Sequence, residues 1–235
     1  MSIRSKYWAV VPAAGIGTRM QSEMPKQYLK IHGKCILEHT LERFCFYPDI
    51  QGVVVALAAK DPYWSNLKIA SHEKLILVTG GKERCHSVLN GLRSIEKLAE
   101  ADDWVMVHDA ARPCLRADDI DKLIQETNKG ASGVILATPV RDTMKRVCRS
   151  NIVKETVERE HLWHALTPQM FRLSELISAM ENALEQSLLV TDEAQAMEFC
   201  SKPPILVEGH VDNIKVTHPR DLLLAETILS HQENS

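Results

Sequence analysis

The sequence lacks the features of several common protein classes. Its 235 residues contain no apolar run long enough to span a bilayer, and the N-terminus, MSIRSKYW, lacks the apolar segment of a signal peptide. The formal net charge is -3, so the overall charge gives no reason to expect binding to nucleic acid or to an anionic membrane. These absences favour a cytoplasmic protein in which basic residues act locally.

Cysteine is present, but none of the usual cysteine patterns is. The six cysteines form no CxxC pair, and none has a histidine at zinc-site spacing. In a reducing compartment we expect free thiols that pack as small hydrophobic groups. Cys85 is followed by His86, but adjacent residues point in different directions, so we do not expect a catalytic cysteine.

Two common nucleotide-binding motifs are also missing. No GxxxxGK[ST] string occurs, which excludes a Walker-type loop. Gly15 and Gly17 begin a GxGxxG string, but Met20 stands at the third glycine position. Glu38 is at the distance of a ribose-binding acid, yet it lies in the helical pattern ILEHTLERF rather than at the end of a strand. A dinucleotide-binding unit is therefore not predicted.

The glycine segment does have the properties of a phosphate-binding turn. The apolar run Trp8 to Val11, which is typical of a buried strand, leads directly into PAAGIGTRM. Glycine has no Cβ, so Gly15 and Gly17 let backbone N–H groups approach an anion. Arg19 and Lys26 add two cations close by. An ordinary tight turn is the alternative for the glycines alone, and the two cations shift the balance towards polyphosphate binding.

A strand, AAGxGxRM and then PKQ form a signature that resembles the nucleotidyltransferases. Six further strings follow in order: GGKERCHSV from Gly80, VHDAARPCL from Val107, PVRDTMKR from Pro139, TVEREHLWHALTPQ from Thr156, TDEAQAME from Thr191 and VEGHVDNIKVT from Val207. Together they resemble the 2-C-methyl-D-erythritol 4-phosphate cytidylyltransferase family. The match runs from about residue 8 nearly to the end of the chain.

Strand-like and helix-like segments alternate along the chain. The predicted strands are Trp8 to Pro12, Val53 to Ala58, Leu75 to Val78, Trp104 to His108 and Val134 to Thr138; the predicted helices are ILEHTLERF, SVLNGLRSIEKLA and ADDIDKLIQETNKG. Because the strands are continuously apolar, we expect an α/β fold with a mainly parallel, twisted sheet and helices on both faces. The length favours a single domain over residues 1–235, and the resemblance implies a Rossmann-like nucleotidyltransferase fold.

The segment Pro139 to Val157 interrupts this alternation. It contains RVCRSNIVKETV, which predicts two short strands joined at Ser150 and Asn151. A solvated edge hairpin is one interpretation. The resemblance instead implies a protruding arm, at about residues 139–157, that embraces a second subunit in a homodimer, and an isolated hairpin is marginally stable without such support.

Asp109 has two interpretations. It follows the apolar run WVMV, where open α/β sheets place their ligands, and a carboxylate there can join Mg²⁺ to phosphate oxygens. It could equally cap a helix. The resemblance implies that Asp109 is the metal ligand, with Asp212 as a second, weaker candidate. His108 is expected to pack at the end of the strand, and Asp192 and Glu193 to form an acidic helix N-terminus.

The resemblance also implies a role for individual residues. The residues expected to act in catalysis are Arg19, Lys26, Arg159 and Lys215. The residues expected to bind the substrates are Pro12, Ala13, Ala14, Gly15, Gly17, Gly81, Lys82, Ser87, Ala110, Arg112 and Thr143. Where many relatives have an acidic residue after the double glycine, this chain has Lys82, which leaves its effect on base selectivity open.

The implied reaction moves the cytidylyl group of CTP to 2-C-methyl-D-erythritol 4-phosphate, giving 4-diphosphocytidyl-2-C-methyl-D-erythritol and pyrophosphate. Mg²⁺, or another divalent cation, is the implied cofactor. A phosphate monoester is already a nucleophile near neutrality, so no general base is required. A cytidylyltransferase for another polyol phosphate, such as ribitol phosphate, would share most of these residues. A nucleotide-binding module without activity would be expected to lack Lys26 or Asp109.

Overall fold

The structure is a computed structural model that describes residues 6–15 and 24–233. These residues form eleven strands, β1 Tyr7–Pro12, β2 Lys30–Ile31, β3 Lys34–Cys35, β4 Ile50–Leu57, β5 Leu75–Thr79, β6 Trp104–Val107, β7 Gly133–Pro139, β8 Met144–Val147, β9 Val153–Val157, β10 Trp163–Arg172 and β11 Ile205–Glu208. The α-helices are α1 Ile36–Cys45, α2 Arg84–Ile95, α3 Ala117–Asn128, α4 Leu173–Glu185, α5 Glu193–Phe199 and α6 Pro219–Glu233. Short 3₁₀ turns occupy Lys26–Tyr28, Trp64–Asn66 and Lys68–Ser71.

Seven of the strands form one sheet in the order β11-β7-β10-β6-β1-β4-β5. The pairs β11/β7, β6/β1, β1/β4 and β4/β5 are parallel, whereas β10 runs antiparallel to both of its neighbours. The predicted mainly parallel α/β sheet is therefore confirmed. Since parallel strands end at the same edge, the loops after β1, β5 and β6 meet at the carboxyl edge of the sheet.

Helices cover both faces of the sheet because its strands are apolar on both sides. On β4, Val53 and Val55 pack into one core with helices α1 and α3, while Val54 packs into the opposite core with α2, α4 and α5. The alternation follows from the two-residue period of a strand. The predicted strands and helices are present, with helix α2 beginning at Arg84, three residues before the predicted start.

Strands β8 and β9 form a separate antiparallel hairpin, which we call the arm. Asn151 lies at its tip with a left-handed φ of 60°, a conformation that asparagine tolerates better than most residues. The predicted hairpin is thus confirmed. Met144, Val147, Ile152 and Val153 are exposed on it, so the arm leaves apolar side chains uncovered.

Helix α6 closes the fold near the chain's end. Its buried residues Ala225 and Leu229 pack with Ile31, Ile36 and Val216 in a third, smaller core. Val216 lies in the segment between β11 and α6, so this packing anchors that segment beside the carboxyl edge of the sheet. Among the helices of residues 24–233, none is long and apolar enough to cross a membrane.

Candidate active site

Two cavities lie at the carboxyl edge of the sheet. The larger has a volume of about 330 Å³. The smaller has a volume of about 170 Å³. Arg84, Asp109 and Lys215 line both cavities, so these three side chains form the boundary between them.

The larger cavity contains most of the predicted site. Its lining comprises Pro12, Ala13, Ala14, Gly15, Lys26, Gln27, Gly81, Lys82, Glu83, Arg84, Ser87, Asp109, Ala110, Ala111, Lys215 and Thr217. The predicted residues Gly17 and Arg19 lie outside the described residues. Gln27, Glu83, Arg84, Ala111 and Thr217 belong to the lining but were not predicted from the sequence.

One wall of the larger cavity follows β1. The buried Gln27 side chain donates hydrogen bonds to the carbonyls of Ala13, at 2.8 Å, and Gly15, at 3.1 Å, and so fixes the turn after the strand. A Cβ added at Gly15 would meet no atom of the described residues within 4 Å, which leaves room on the cavity side. Lys26 donates from Nζ to the Val216 carbonyl at 2.8 Å, which holds this cation at the cavity wall.

The opposite wall is the loop after β5. The Gly81 N–H donates to Ser87 Oγ at 2.9 Å, and Ser87 Oγ donates to the Glu83 carbonyl at 3.2 Å. A Cβ at Gly80 would come within 2.4 Å of Ala14 Cβ, so only glycine allows the two walls to approach this closely. Lys82 lines the cavity with an exposed side chain.

Asp109 is surrounded by cations. Lys215 Nζ lies 2.8 Å from Asp109 Oδ2, Arg112 Nε lies 3.4 Å from the same oxygen, and Arg84 Nε lies 3.2 Å from Oδ1. Burial alone would raise the pKa of Asp109, but the charges of Arg84, Lys215 and Arg112 outweigh it and hold that pKa well below its usual range. Asp109 is therefore an ionised carboxylate at neutral pH.

The helix-cap interpretation of Asp109 is wrong. The next helix, α3, begins at Ala117, and its N-terminal cap is Arg116. The side chain of Asp109 faces the two cavities instead.

The segment that carries Lys215 is held by residues next to Asp109. Arg112 Nη1 donates to the Asn213 carbonyl at 2.7 Å, and the Val216 N–H donates to the Ala111 carbonyl at 2.8 Å. The buried Asn213 amide donates to the Thr167 carbonyl at 2.7 Å. These bonds bring Lys215, which is far from Asp109 in the sequence, to the boundary of the two cavities.

Asp212 lies in the same segment but has a different partner. Arg116 forms an ion pair and two hydrogen bonds with Asp212 Oδ2, the longer of them 3.0 Å. Asp212 lines neither of the two cavities. The structure thus does not bring Asp212 together with Asp109, and its predicted metal contact stays a prediction.

His108 is a buried packing residue, as predicted. Its ring packs edge-on against Phe44, with ring centroids 5.2 Å apart. Its ring nitrogens lie 3.0 Å from the Arg112 carbonyl and 3.0 Å from Thr167 Oγ1. Burial lowers its pKa to about 4, so His108 is neutral near pH 7.

Arg84, which is partly buried, and Glu193 form an ion pair that was not predicted from the sequence. Arg84 Nη1 lies 2.6 Å from Glu193 Oε1, and Nη2 lies 3.1 Å from Oε2. Glu193 is fully buried in the first turn of α5. The predicted acidic helix N-terminus is present, because the Asp192 side chain caps α5 by accepting the Gln195 N–H, but Glu193 has this additional partner.

The smaller cavity combines cations with hydroxyl groups. Its lining comprises Arg84, Asp109, Arg112, Ala165, Leu166, Thr167, Gln169, Thr191, Asp192 and Lys215. The predicted residues Thr143 and Arg159 line neither cavity and are exposed near the arm. Arg159 donates to the carbonyl of Arg141 within the same region.

The remaining chemical groups lie away from the two cavities. Asp118, Asp119 and His210 have possible ligand atoms within 4.8 Å of one another, but they already bond to each other, and Asp119 also pairs with Lys122. The six cysteines are free thiols, and four of them are buried. Cys85 Sγ is 3.8 Å from His86 Nδ1, and neither residue lines the larger or the smaller cavity.

This chain is closely similar to known proteins in both sequence and structure. The sequence model of the family described as "IspD: 2-C-methyl-D-erythritol 4-phosphate cytidylyltransferase" matches residues 7–231. A protein of that name from Vibrio vulnificus (strain CMCP6) is 54% identical over 226 residues, which cover 96% of this chain and 95% of the relative. One from Shewanella halifaxensis (strain HAW-EB4) is 54% identical over 223 residues, 95% of each chain. The crystal structure of the Francisella tularensis protein of that name has a TM-score of 0.84 and 39% identity, covering 95% of this chain and 100% of the other.

Proposed function

We propose that the two cavities bind the two substrates separately, because this chain belongs to the 2-C-methyl-D-erythritol 4-phosphate cytidylyltransferase family. It transfers the cytidylyl group of CTP to 2-C-methyl-D-erythritol 4-phosphate. In this proposal CTP occupies the larger cavity and the acceptor phosphate the smaller one. The observation that carries it is the shared boundary of Arg84, Asp109 and Lys215, which places charged groups where the two substrates must meet.

The larger cavity has separate ends for the base and the triphosphate. The backbone of Gly80 and Gly81, with Ser87, forms a narrow polar wall that suits the edge of a cytosine. The turn after β1 and the cation of Lys26 suit the triphosphate, together with the predicted ligands Gly17 and Arg19. We assign the α-phosphoryl group to the end near Lys26.

The smaller cavity suits a phosphorylated polyol. Arg112 and Lys215 supply positive charge for the phosphate, and the hydroxyls of Thr167 and Thr191 can pair with polyol hydroxyls. Its volume is about 170 Å³, roughly half that of the larger cavity, which suits the smaller of the two substrates. In the proposed reaction an acceptor phosphate oxygen attacks the α-phosphorus of CTP in line with the departing pyrophosphate.

Cations, rather than a general base, supply the catalysis in this proposal. The acceptor phosphate monoester carries about 1.5 to 2 negative charges near neutrality and needs no activation by deprotonation. Lys26 and Arg19 stabilise the charge that develops on the α-phosphoryl oxygens, and Lys215 holds the attacking phosphate. His108 does not serve as a base, because it is fully buried behind the cavities and bonded to the Arg112 carbonyl and to Thr167.

Asp109 fits the protein ligand of a divalent cation. It is an ionised carboxylate on the boundary of both cavities, and Mg²⁺ prefers one or two carboxylates together with phosphate oxygens. A bound Mg²⁺ would neutralise triphosphate charge and orient the α-phosphoryl group. Asp212 suits this role less well, because it lines neither cavity, although its buried Oδ1 has no hydrogen-bond partner among the described residues.

The arm suits contact with a second copy of this chain. Its apolar residues are exposed, and Thr143 and Arg159 lie near it without reaching the cavities of their own chain. In a homodimer, each arm can cover these apolar residues and bring Thr143 and Arg159 to the partner's smaller cavity. We further propose that residues 1–235 form one domain and that the protein works in the cytoplasm, where its free thiols stay reduced.

The test is an assay of pyrophosphate release. Each of the four ribonucleoside triphosphates is combined with 2-C-methyl-D-erythritol 4-phosphate and, separately, with ribitol phosphate. We expect turnover with CTP and methylerythritol phosphate, and little with the other pairs. Comparable turnover with ribitol phosphate would overturn the specificity for methylerythritol phosphate, and comparable turnover with another triphosphate would overturn the assignment of the base wall to cytosine.

A further inference from the structure

The guanidinium of Arg84 contacts two carboxylates, whereas a simple ion pair has one. It is the first residue of helix α2 and lies on the boundary of the two cavities. Both of its Nη atoms bind the carboxylate of Glu193, at 2.6 and 3.1 Å, and its Nε lies 3.2 Å from Asp109 Oδ1. One guanidinium therefore joins a buried carboxylate of α5 to the carboxylate at the centre of the site.

The two bonds to Glu193 fix the direction of the third. A guanidinium is planar, so two parallel bonds to one carboxylate determine the orientation of its plane and of its Nε–H. Glu193 is fully buried, and a buried carboxylate without a paired cation would be strongly destabilised. Arg84 is thus held in one position, with its Nε directed at Asp109.

The support behind Glu193 is also rigid. The Gln169 side chain, on strand β10, accepts the Ala194 N–H at 2.8 Å and donates to Asp192 Oδ2 at 3.0 Å. Asp192 in turn caps α5 through the Gln195 N–H at 3.0 Å. These bonds fix the first turn of α5 to the central sheet, so Glu193 cannot follow Arg84 if Arg84 moves.

The two carboxylate oxygens of Asp109 have different cationic partners. Arg84 lies on Oδ1, while Lys215 and Arg112 lie on Oδ2. Lys215 is exposed and long, so it can exchange Asp109 for a substrate phosphate, whereas the buried pair with Glu193 keeps Arg84 in place. Arg84 therefore holds Oδ1 of Asp109 in place when Lys215 leaves Oδ2, and the longer contact of Arg112 remains on Oδ2.

We propose that Arg84, clamped by Glu193, is a positioning residue that orients Asp109 for cytidylyl transfer. The proposal rests on the role assigned to Asp109 under the proposed function. It predicts that Arg84 acts on the reaction through Asp109, rather than by binding a substrate or only by neutralising Glu193.

The variants separate these roles. Arg84→Lys keeps a positive charge for Glu193 but cannot bond to both carboxylates in fixed directions. Glu193→Gln keeps the size of the side chain and removes the clamp without leaving an unpaired buried charge. Arg93→Lys is the matched control, because Arg93 is on the same helix and pairs with the exposed Glu181 at 2.8 Å, away from the cavities.

We expect Arg84→Lys to lower kcat roughly tenfold to a hundredfold, as a small misplacement of a reacting group does, with KM for CTP changed only a few-fold. Glu193→Gln should also lower kcat, but by a smaller factor than Arg84→Lys. Arg93→Lys should match the parent. If Arg84 only neutralises Glu193, the lysine restores normal kcat, which would overturn the proposal.

A double-mutant cycle with Asp109→Asn gives the decisive result. If Arg84 acts through Asp109, the double variant has about the same residual kcat as Asp109→Asn alone, because there is no carboxylate left to orient. If the losses of kcat in the two single variants multiply in the double variant, the proposal is overturned. Full activity of Asp109→Asn would instead refute the role of Asp109 itself. Melting temperatures check folding; if Arg84→Lys does not fold, Glu193→Gln enters the same cycle, and failure of both to fold would show that the pair is structural only.

Discussion

Lys26 provides the most direct test of catalysis by cations. Lys26→Ala should lower kcat roughly a hundredfold or more while weakening CTP binding much less, because its contact strengthens as charge develops on the α-phosphoryl group. Steady-state kinetics of pyrophosphate release give kcat and KM. Lys30→Ala is the matched control, since Lys30 is an exposed lysine nearby that lines neither cavity of the site. A Lys26 variant within a few-fold of the parent would refute the assigned role.

Asp109→Asn should lower Mg²⁺-dependent turnover roughly a hundredfold or more, to a measurable residual rate, and leave the fold intact. The amide keeps the shape of the side chain but loses the charge that a divalent cation and Lys215 require. Arg84 still has Glu193 as a partner, and the buried Arg112, which loses its carboxylate, keeps its bond to the Asn213 carbonyl. Pyrophosphate release measured against Mg²⁺ concentration gives the result, and circular dichroism checks folding.

The control for this variant is Asp121→Asn, which changes an exposed aspartate that bonds to Tyr47 on the protein surface. An unchanged Mg²⁺ titration in Asp109→Asn would contradict the assigned role of Asp109.

Individual site residues could be predicted only where the chemistry lies in a short string. The turn after β1, Lys26 and Asp109 were predicted, and the structure places them in one cavity. The Arg84 pair with Glu193 was missed because its partners are 109 positions apart and are joined only by the folded chain. The sequence did contain a signal, since an arginine and an acidic residue both lie in the recognised strings.

His39 on helix α1 gives the fold a predictable pH dependence. Its ring Nε2 lies 2.9 Å from the Ile31 carbonyl, and burial lowers its pKa below the ordinary 6.5. As the pH falls below that value, the unfolded chain takes up a proton that the folded chain resists, so the stability contributed by neutral His39 is lost. This contribution is complete above about pH 7 and declines towards acid pH.

The measurement compares the parent with His39→Gln. The free energy of unfolding, from urea titrations at about pH 8 and about pH 5, should fall more in the parent than in the variant. The difference between the two proteins should therefore shrink on acidification. Equal losses in both proteins would show that folding does not lower the pKa of His39.

At the scale of elements, prediction succeeded where the hydrophobic period was clear. Helices α1 and α3 and the five predicted strands lie close to their predicted positions, whereas the two-residue strands β2 and β3 were not predicted. The antiparallel strand β10 was not assigned, although it contributes Thr167 and Gln169 to the site. Its exposed first half, Trp163 to Ala165, leads into a buried second half, so neither a continuous apolar run nor a strict alternation marks it.

A mixture of two variant chains tests whether the arm completes the site of a second subunit. An Arg159→Ala chain has intact cavities and a defective arm, whereas a Lys26→Ala chain has the opposite. If arms are exchanged, a mixed dimer holds one site with both defects and one with neither. With random exchange, half of the dimers are mixed, so activity should return to about a quarter of the parent's.

Pyrophosphate release from the mixture, after subunit exchange has been verified, is the measurement. Each variant alone serves as the baseline. Activity that stays at the baseline, or a monomer with normal turnover at assay concentration, would show that each chain builds its own complete site.

For the whole molecule, the mainly parallel sheet could be predicted because its strands are apolar on both faces. The position of the site at the carboxyl edge follows from the same topology. What the sequence could not give is the path of the segment from β11 to α6, which returns across that edge and delivers Lys215 to Asp109. That path depends on long-range bonds, such as those of Arg112 and Asn213, that have no local sequence pattern.

In the proposed homodimer, the separation of Arg159 from the cavities of its own chain also has a genetic consequence. In a cell that carries two alleles, a chain defective only in its cavities and a chain defective only in its arm would compensate for each other. A chain with both defects would act differently when it pairs with a wild-type chain. Its defective arm would inactivate the wild-type chain's site, and its own defective cavity would stay inactive despite the intact arm of its partner. With random pairing against the wild type, such an allele would leave about a quarter of the sites intact, whereas either single defect would leave about half.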